Sequence, residues 1–182
     1  RVPEGHTVRK LKYYVACSVD GFIARKDGSF NDFVFEGEVV NDYIESFKLF
    51  DIVLMGRKTY EVGLEEGKTN PYPMMKSYVF SRSMKAIPDE NVELVSENAA
   101  ELVRSLKNES GKDIYLCGGA NLATTLFNEN LIDGMILKIN PFVMGSGIPL
   151  FGEVIQPTAL ELTNSKIYES GVLLVSYKCS IT

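Results

Sequence analysis

Three places in this chain put phosphate-binding chemistry directly after a short apolar run. Ile114-Tyr115-Leu116-Cys117 passes into Gly118-Gly119-Ala120-Asn121-Leu122, and then into a segment carrying Leu126 and Phe127 at helical spacing. A strand that hands over to a helix through two glycines exposes main-chain N–H groups at the positive end of the helix dipole, and the missing Cβ atoms let an anion come close. Ile52-Val53-Leu54-Met55 runs in the same way into Gly56-Arg57-Lys58-Thr59. Gly56 permits close approach, Arg57 and Lys58 bring positive charge, and Thr59 can cap a helix or donate to a phosphate oxygen. Tyr78-Val79-Phe80 leads into Ser81-Arg82-Ser83, which adds hydroxyls and a guanidinium. Any one of these could be an empty turn or a solvated loop. Three in one chain point to a phosphorylated ligand.

Other chemistries lack their residues. His6 is the only histidine and lies in the leading segment, so a Ser-His triad or a His-ligated metal has nothing to use, and no metal site is expected. Cys17, Cys117 and Cys179 are widely spaced inside apolar runs, an odd count that suits reduced core thiols better than disulfides.

The elements that must hold these residues alternate along the chain. Strand-length apolar runs at 12–17, 52–55, 77–80, 92–95, 113–117 and 134–140 are separated by helical periodicity at 38–50 and 99–107. That order predicts an α/β fold with parallel strands joined by crossover helices. The C-terminal segments 160–168 and 172–179 flank Glu169-Ser170-Gly171 and read as an antiparallel hairpin, so the sheet should be mixed. In such a sheet a ligand binds where strands hand over to helices. The chain has 182 residues, 45% hydrophobic and 24% charged, enough for one well-filled core, and it is read as a single domain over 8–182. Residues 1–7, which lack an initiating Met, are read as an expression remnant or processed leader. A net charge of −5 with no basic run disfavours nucleic acid and anionic membrane surfaces. No stretch approaches the ~20 apolar residues that cross a bilayer, and the expected location is cytoplasmic.

Four motifs together carry a family resemblance: Ala16-Cys17-Ser18-Val19-Asp20-Gly21-Phe22-Ile23-Ala24, Met55-Gly56-Arg57-Lys58-Thr59-Tyr60-Glu61, Cys117-Gly118-Gly119-Ala120-Asn121-Leu122, and Pro141-Phe142-Val143-Met144-Gly145-Ser146-Gly147-Ile148-Pro149-Leu150-Phe151. With these in order, the chain resembles the dihydrofolate-reductase-like family. It is most similar to the branch that holds the reductase domain of bacterial riboflavin biosynthesis and its stand-alone relatives. The second and third motifs are shared with dihydrofolate reductase, and the first and fourth look like the riboflavin branch.

The resemblance implies a three-layer α/β/α fold and the cofactor NADPH. It places Ala16 and Ile23 as main-chain contacts to the nicotinamide carboxamide, and Gly56, Arg57, Lys58 and Thr59 around the pyrophosphate and adenosine ribose. Ser81 and Arg82 would meet the 2′-phosphate, since a phosphomonoester rewards a guanidinium and a hydroxyl. Gly118 and Gly119, with Ala120, Asn121 and Leu122 behind them, would pass close to the cofactor through a cis peptide. Asn121 stands where dihydrofolate reductases often carry another Arg. Those enzymes also use an acid on the first helix to bind the pterin, and the nearest candidates here are Asp42 and Glu36. Asp42 in a first helical turn equally complements the dipole, and Asp20 before Gly21 equally makes a turn. Phe30, Phe33, Phe35 and Tyr43 could wall a pocket for a flat heterocycle or simply fill the core.

The expected activity is thus NADPH-dependent reduction of a small heterocyclic substrate by hydride transfer to a C=N or C=O carbon. Two alternatives stay open: dihydrofolate reductase activity, and a non-catalytic NADP-binding protein. Relatives of this kind often form homodimers, which an exposed apolar C-terminal strand would allow.

Overall fold

The computed structural model describes residues 8–180. The segment read as a remnant or leader, with His6, lies outside the described residues. One eight-stranded sheet organises the chain. In chain order the elements are β1 (Leu11–Ser18), β2 (Phe22–Ala24), α1 (Glu38–Ser46), β3 (Phe50–Gly56), α2 (Arg57–Glu65), β4 (Lys76–Phe80), β5 (Val92–Val95), α3 (Ala99–Asn108), β6 (Asp113–Gly118), α4 (Ala120–Asn128), β7 (Gly134–Asn140), β8 (Ile148–Pro149), β9 (Leu160–Ile167) and β10 (Leu173–Cys179). The spatial order is β5-β4-β3-β6-β1-β7-β10-β9. From β5 to β7 neighbouring strands run parallel, whereas β10 is antiparallel to both β7 and β9. This is the mixed, mostly parallel α/β sheet with an antiparallel C-terminal hairpin that the sequence implies.

Both faces of the central strands are covered, which is why β1, β3 and β6 read as continuous apolar runs rather than alternating ones. Tyr13, Leu54, Leu116 and Ile114 meet α3 and α4 through Val103, Leu106, Ala123 and Leu126. On the other face, Tyr14, Val53, Met55 and Tyr115 meet α1, the turn that follows it and α2 through Tyr43, Phe47, Tyr60 and Leu64. The result is three layers. Buried cations brace the amino ends of the strands: Arg9 pairs with Asp51, and Lys107 reaches the Leu131 carbonyl at 2.9 Å and Asp133 at 2.8 Å.

Two details differ from the expected elements. The first helix stops at Ser46, passes through a single 3-10 turn at Phe47–Leu49, and gives Phe50 to β3, where it is buried opposite Asp113. Burial on the sheet outweighs a helical period that would have run on to 50. The short strands β2 and β8 also form a separate two-stranded ladder that no periodicity announces.

Candidate active site at the carboxyl ends of the strands

β3 ends at Gly56 where α2 begins at Arg57, and its neighbour β6 ends at Gly118 just before α4 begins at Ala120. Two helix N-termini therefore stand side by side. Their glycines are in close contact: a Cβ on Gly56 would lie 3.3 Å from the Gly119 nitrogen and 3.7 Å from the Gly118 carbonyl oxygen. The Gly118–Gly119 peptide is cis, as the resemblance implies, and Gly118 has a φ of +119°, a conformation that L side chains rarely adopt. Neither helix receives a side-chain hydrogen bond at its N-cap. The first-turn N–H groups of both thus have no capping acceptor, and both dipoles present their positive ends to one place. Thr59 Oγ1 faces it too, 3.8 Å from the position of a Cβ on Gly119.

Cations flank this pair. Arg57 reaches Glu61 at 3.4 Å, with both side chains 42% exposed, a contact too loose and wet to consume its charge. Lys58 and Arg82 are exposed, and neither forms an ion pair with the described residues. Ser81 Oγ already accepts the main-chain N–H groups of Ser83 at 3.2 Å and Met84 at 3.1 Å, which fixes the turn that carries Arg82. Asn121 is exposed, whereas the Ala120 and Leu122 side chains are buried and leave only main chain to a ligand.

β1 supplies the next part. Its pairing with β6 ends at Tyr13↔Leu116, while its pairing with β7 continues to Ser18↔Asn140. Beyond Tyr13 the β6-facing edge of β1 has no strand partner, and half-buried Ala16 lies in that segment. Ile23, also half-buried, lies on β2, which packs beside β1. Asp20 holds the loop between them: it accepts the Ser18 hydroxyl at 2.6 Å and the N–H groups of Met144 at 3.0 Å and Gly145 at 2.8 Å. Those bonds pull its pKa down to about 2, the Ser18 contribution being the largest. The first and fourth sequence motifs thereby form one loop pair.

On the α1 face of the sheet the structure gathers Tyr43 with groups that sequence reasoning missed, Tyr72 and Lys138. Tyr43 from α1 hydrogen-bonds Tyr115 at 2.7 Å and Tyr72 at 3.1 Å, and Tyr72 meets the Cys117 thiol at 3.5 Å. Lys138 on β7 stands over the Tyr43 ring, 3.8 Å from its centroid. A lysine in the apolar run Gly134-Met135-Ile136-Leu137-Lys138-Ile139-Asn140 was the available signal, because strands covered on both faces rarely carry an unpaired charge. Of the four aromatic residues considered for a pocket wall, only Tyr43 belongs to this cluster. Phe33 packs on Phe142, and Phe30 on Phe35.

Of the two candidate acids, one is engaged by other side chains and one faces solvent. Asp42 Oδ2 accepts from Lys166 Nζ and from the Tyr168 hydroxyl, both at 2.7 Å, which ties α1 to the C-terminal hairpin. Lys166, and then Tyr168, hold its carboxyl below the usual range. Glu36 is exposed in the loop before α1.

Known proteins are similar to this chain in sequence and in fold. The Bacillus subtilis (strain 168) protein YwjB is 39% identical over 168 residues, covering 91% of this chain and 96% of that protein. A solved structure described as a putative riboflavin biosynthesis protein from Shewanella sp. PV-4 is similar with a TM-score of 0.82 at 24% identity, covering 94% of this chain and 99% of that one. A dihydrofolate reductase from Enterococcus faecalis shares the fold at a TM-score of 0.70 and 16% identity, covering 94% and 97%. The sequence pattern of the RibD C-terminal domain matches residues 9–174, nearly the whole chain, and the protein belongs to that family.

Proposed function

We propose that the protein is an NADPH-dependent reductase acting on a small, flat heterocyclic substrate, of the riboflavin-reductase type. The observation that carries this reading is the pair of uncapped helix N-termini at Gly56 and Gly119 beside the unpartnered edge of β1. A dinucleotide needs an anion cradle for its pyrophosphate, an amide-binding edge for its carboxamide and, when it bears a 2′-phosphate, a free guanidinium. The residues present fit all three. First-turn N–H groups of α2 and α4, with Thr59, Arg57 and Lys58, would hold the pyrophosphate. Main-chain groups at Ala16 and Ile23 would hold the carboxamide, and Arg82, fixed by the Ser81 turn, would take the 2′-phosphate. The E. faecalis dihydrofolate reductase that shares the fold is described as complexed with NADP(H).

When bound, such a cofactor supplies a hydride to an electrophilic C=N or C=O carbon. The protein's part is to orient the ring against the β1 edge and to exclude water through the loop pair that Asp20 fastens. Asp42 serves here as the residue that positions α1, since its carboxylate oxygen is already shared by two donors. Dihydrofolate reduction and cofactor binding without turnover are the competing readings. A panel of flat carbonyl and imine heterocycles, followed by loss of dihydronicotinamide absorbance, separates them: oxidation with a pyrimidine-type substrate supports the reductase, oxidation with dihydrofolate alone replaces it, and binding without oxidation leaves a sensor.

The same reading includes a cytoplasmic homodimer joined through edge strand β9, which exposes Leu160, Leu162 and Ile167. Light scattering on the purified protein tests it, a monomer mass being the contrary result.

A further inference from the structure

Lys138 is the anomaly of the sheet. It lies mid-strand in β7, opposite Ala16 of β1 on one side and Leu174 of β10 on the other. Its Nζ is 3.8 Å from the ring centroid of Tyr43 and 5.5 Å from that of Tyr14. Among the described residues no carboxylate comes within ion-pair distance of it and no acceptor takes a hydrogen bond from it. The contrast with Lys107 is instructive, because that buried lysine is fully engaged by Leu131 and Asp133. Lys138 is half-buried and meets only tyrosine rings, so its ammonium is partly withdrawn from water with no oxygen acceptor, and a ligand oxygen would supply one.

The groups facing Lys138 are neutral at pH 7. They are Tyr43 of α1, Tyr14 of β1, Tyr115 and Cys117 of β6, and Tyr72 of the α2–β4 connection, while Leu174 of β10 is apolar. Burial pushes the tyrosines and the thiol up, and it pulls Lys138 down to about 8, with Cys117 opposing it. Asp42, the carboxylate that α1 carries next to Tyr43, is spent on Lys166 and Tyr168. The cluster therefore holds one cation, faced by tyrosine rings and by no free carboxylate among the described residues. It adjoins the nicotinamide edge, since Lys138 is the register partner of Ala16 and Cys117 directly precedes the Gly118–Gly119 turn.

We propose that Lys138 is a substrate-binding residue that takes the anionic or carbonyl oxygen of a flat ring lying against Tyr43, and that its charge makes the site reject cationic, amidine-bearing rings. This rests on the reductase reading for what happens to the ring, but not for its binding. An acid-lined site would select the opposite charge.

The test is an NMR titration of the full chain with benzoate and with benzamidinium, flat ions of similar size and opposite charge, following the ring signals of Tyr14 and Tyr43. Wild type is expected to bind benzoate saturably and at least ten-fold more tightly than benzamidinium, with affinity falling as pH rises past about 8. Lys138→Met should weaken benzoate at least ten-fold and melt at the same temperature or higher, since it removes an uncompensated charge. A lysine kept for structure would do the reverse. Lys138→Gln is the second variant if Met misfolds. Equal affinity for the two ions, no saturable benzoate shift, or unchanged benzoate binding in a folded variant overturns the proposal. NADPH titrated into the same samples keeps the two readings apart: its failure to bind wild type sinks the reductase, whereas intact NADPH binding without charge discrimination sinks only the Lys138 subsite.

Discussion

Gly56 lies so close to the Gly118–Gly119 turn that a Cβ on it would come within 3.3 Å of the Gly119 nitrogen. A methyl group at Gly56 must displace main chain rather than a flexible side chain, so Gly56→Ala is expected to cost about 1–3 kcal/mol in denaturant unfolding. It should also weaken NADPH binding, because the same displacement moves the α4 N-terminus. Both glycines were legible in sequence, because a glycine directly after a strand allows close approach of main chain. Asp20 was legible merely as a turn residue, and the Gly21 N–H to the Ser18 carbonyl is indeed such a turn, at 3.1 Å. Its larger role, fastening Met144 and Gly145, lies more than a hundred residues away and leaves no local trace. Because its folded pKa is depressed to about 2, its stabilisation is present above the usual carboxylate range and is lost as pH falls toward 2. Asp20→Asn should therefore lower the melting temperature at pH 7, and the gap to wild type should close by pH 2 in a pH series of thermal melts.

Among elements, α1 is positioned by the C-terminal hairpin. Asp42 receives Lys166 and Tyr168, and Lys166 also reaches Glu38 at 2.9 Å. These side chains are partly exposed, so Asp42→Asn should cost under about 1 kcal/mol, and the difference should be lost as pH falls through Asp42's own lowered pKa, where wild type is protonated as well. Its second expected effect is on the substrate side, because Tyr43 is the next residue: a looser α1 should weaken benzoate binding while NADPH affinity is kept. Separate titrations of the two ligands check this. The parallel strands and their helices were legible because each carries its own period. The three-residue β2 and two-residue β8 are too short for one. The parting of β1 from β6 beyond Tyr13 was hidden too, since it depends on the register of strands a hundred residues apart.

At the scale of the whole molecule, two cores clamp one sheet, and the site lies where that sheet ends. Leu116 is wholly buried in the α3–α4 core. Leu116→Ala should cost about 2–5 kcal/mol, a large part of a typical domain's ~5–15 kcal/mol, and lower the melting temperature without changing cofactor selectivity. Surface residues should behave in the opposite way. Arg82 is exposed, so its loss should leave stability alone and act only on ligand. The central claim is tested most directly by titrating NADPH and NADH into wild-type and Arg82→Ala protein while following the melting temperature, because a ligand that binds only the folded chain must raise it. The account expects NADPH to raise it more than NADH. In Arg82→Ala that advantage should vanish, with NADPH weakened roughly ten- to a hundred-fold, the worth of one charged hydrogen bond. A melting temperature that neither nucleotide moves would contradict it.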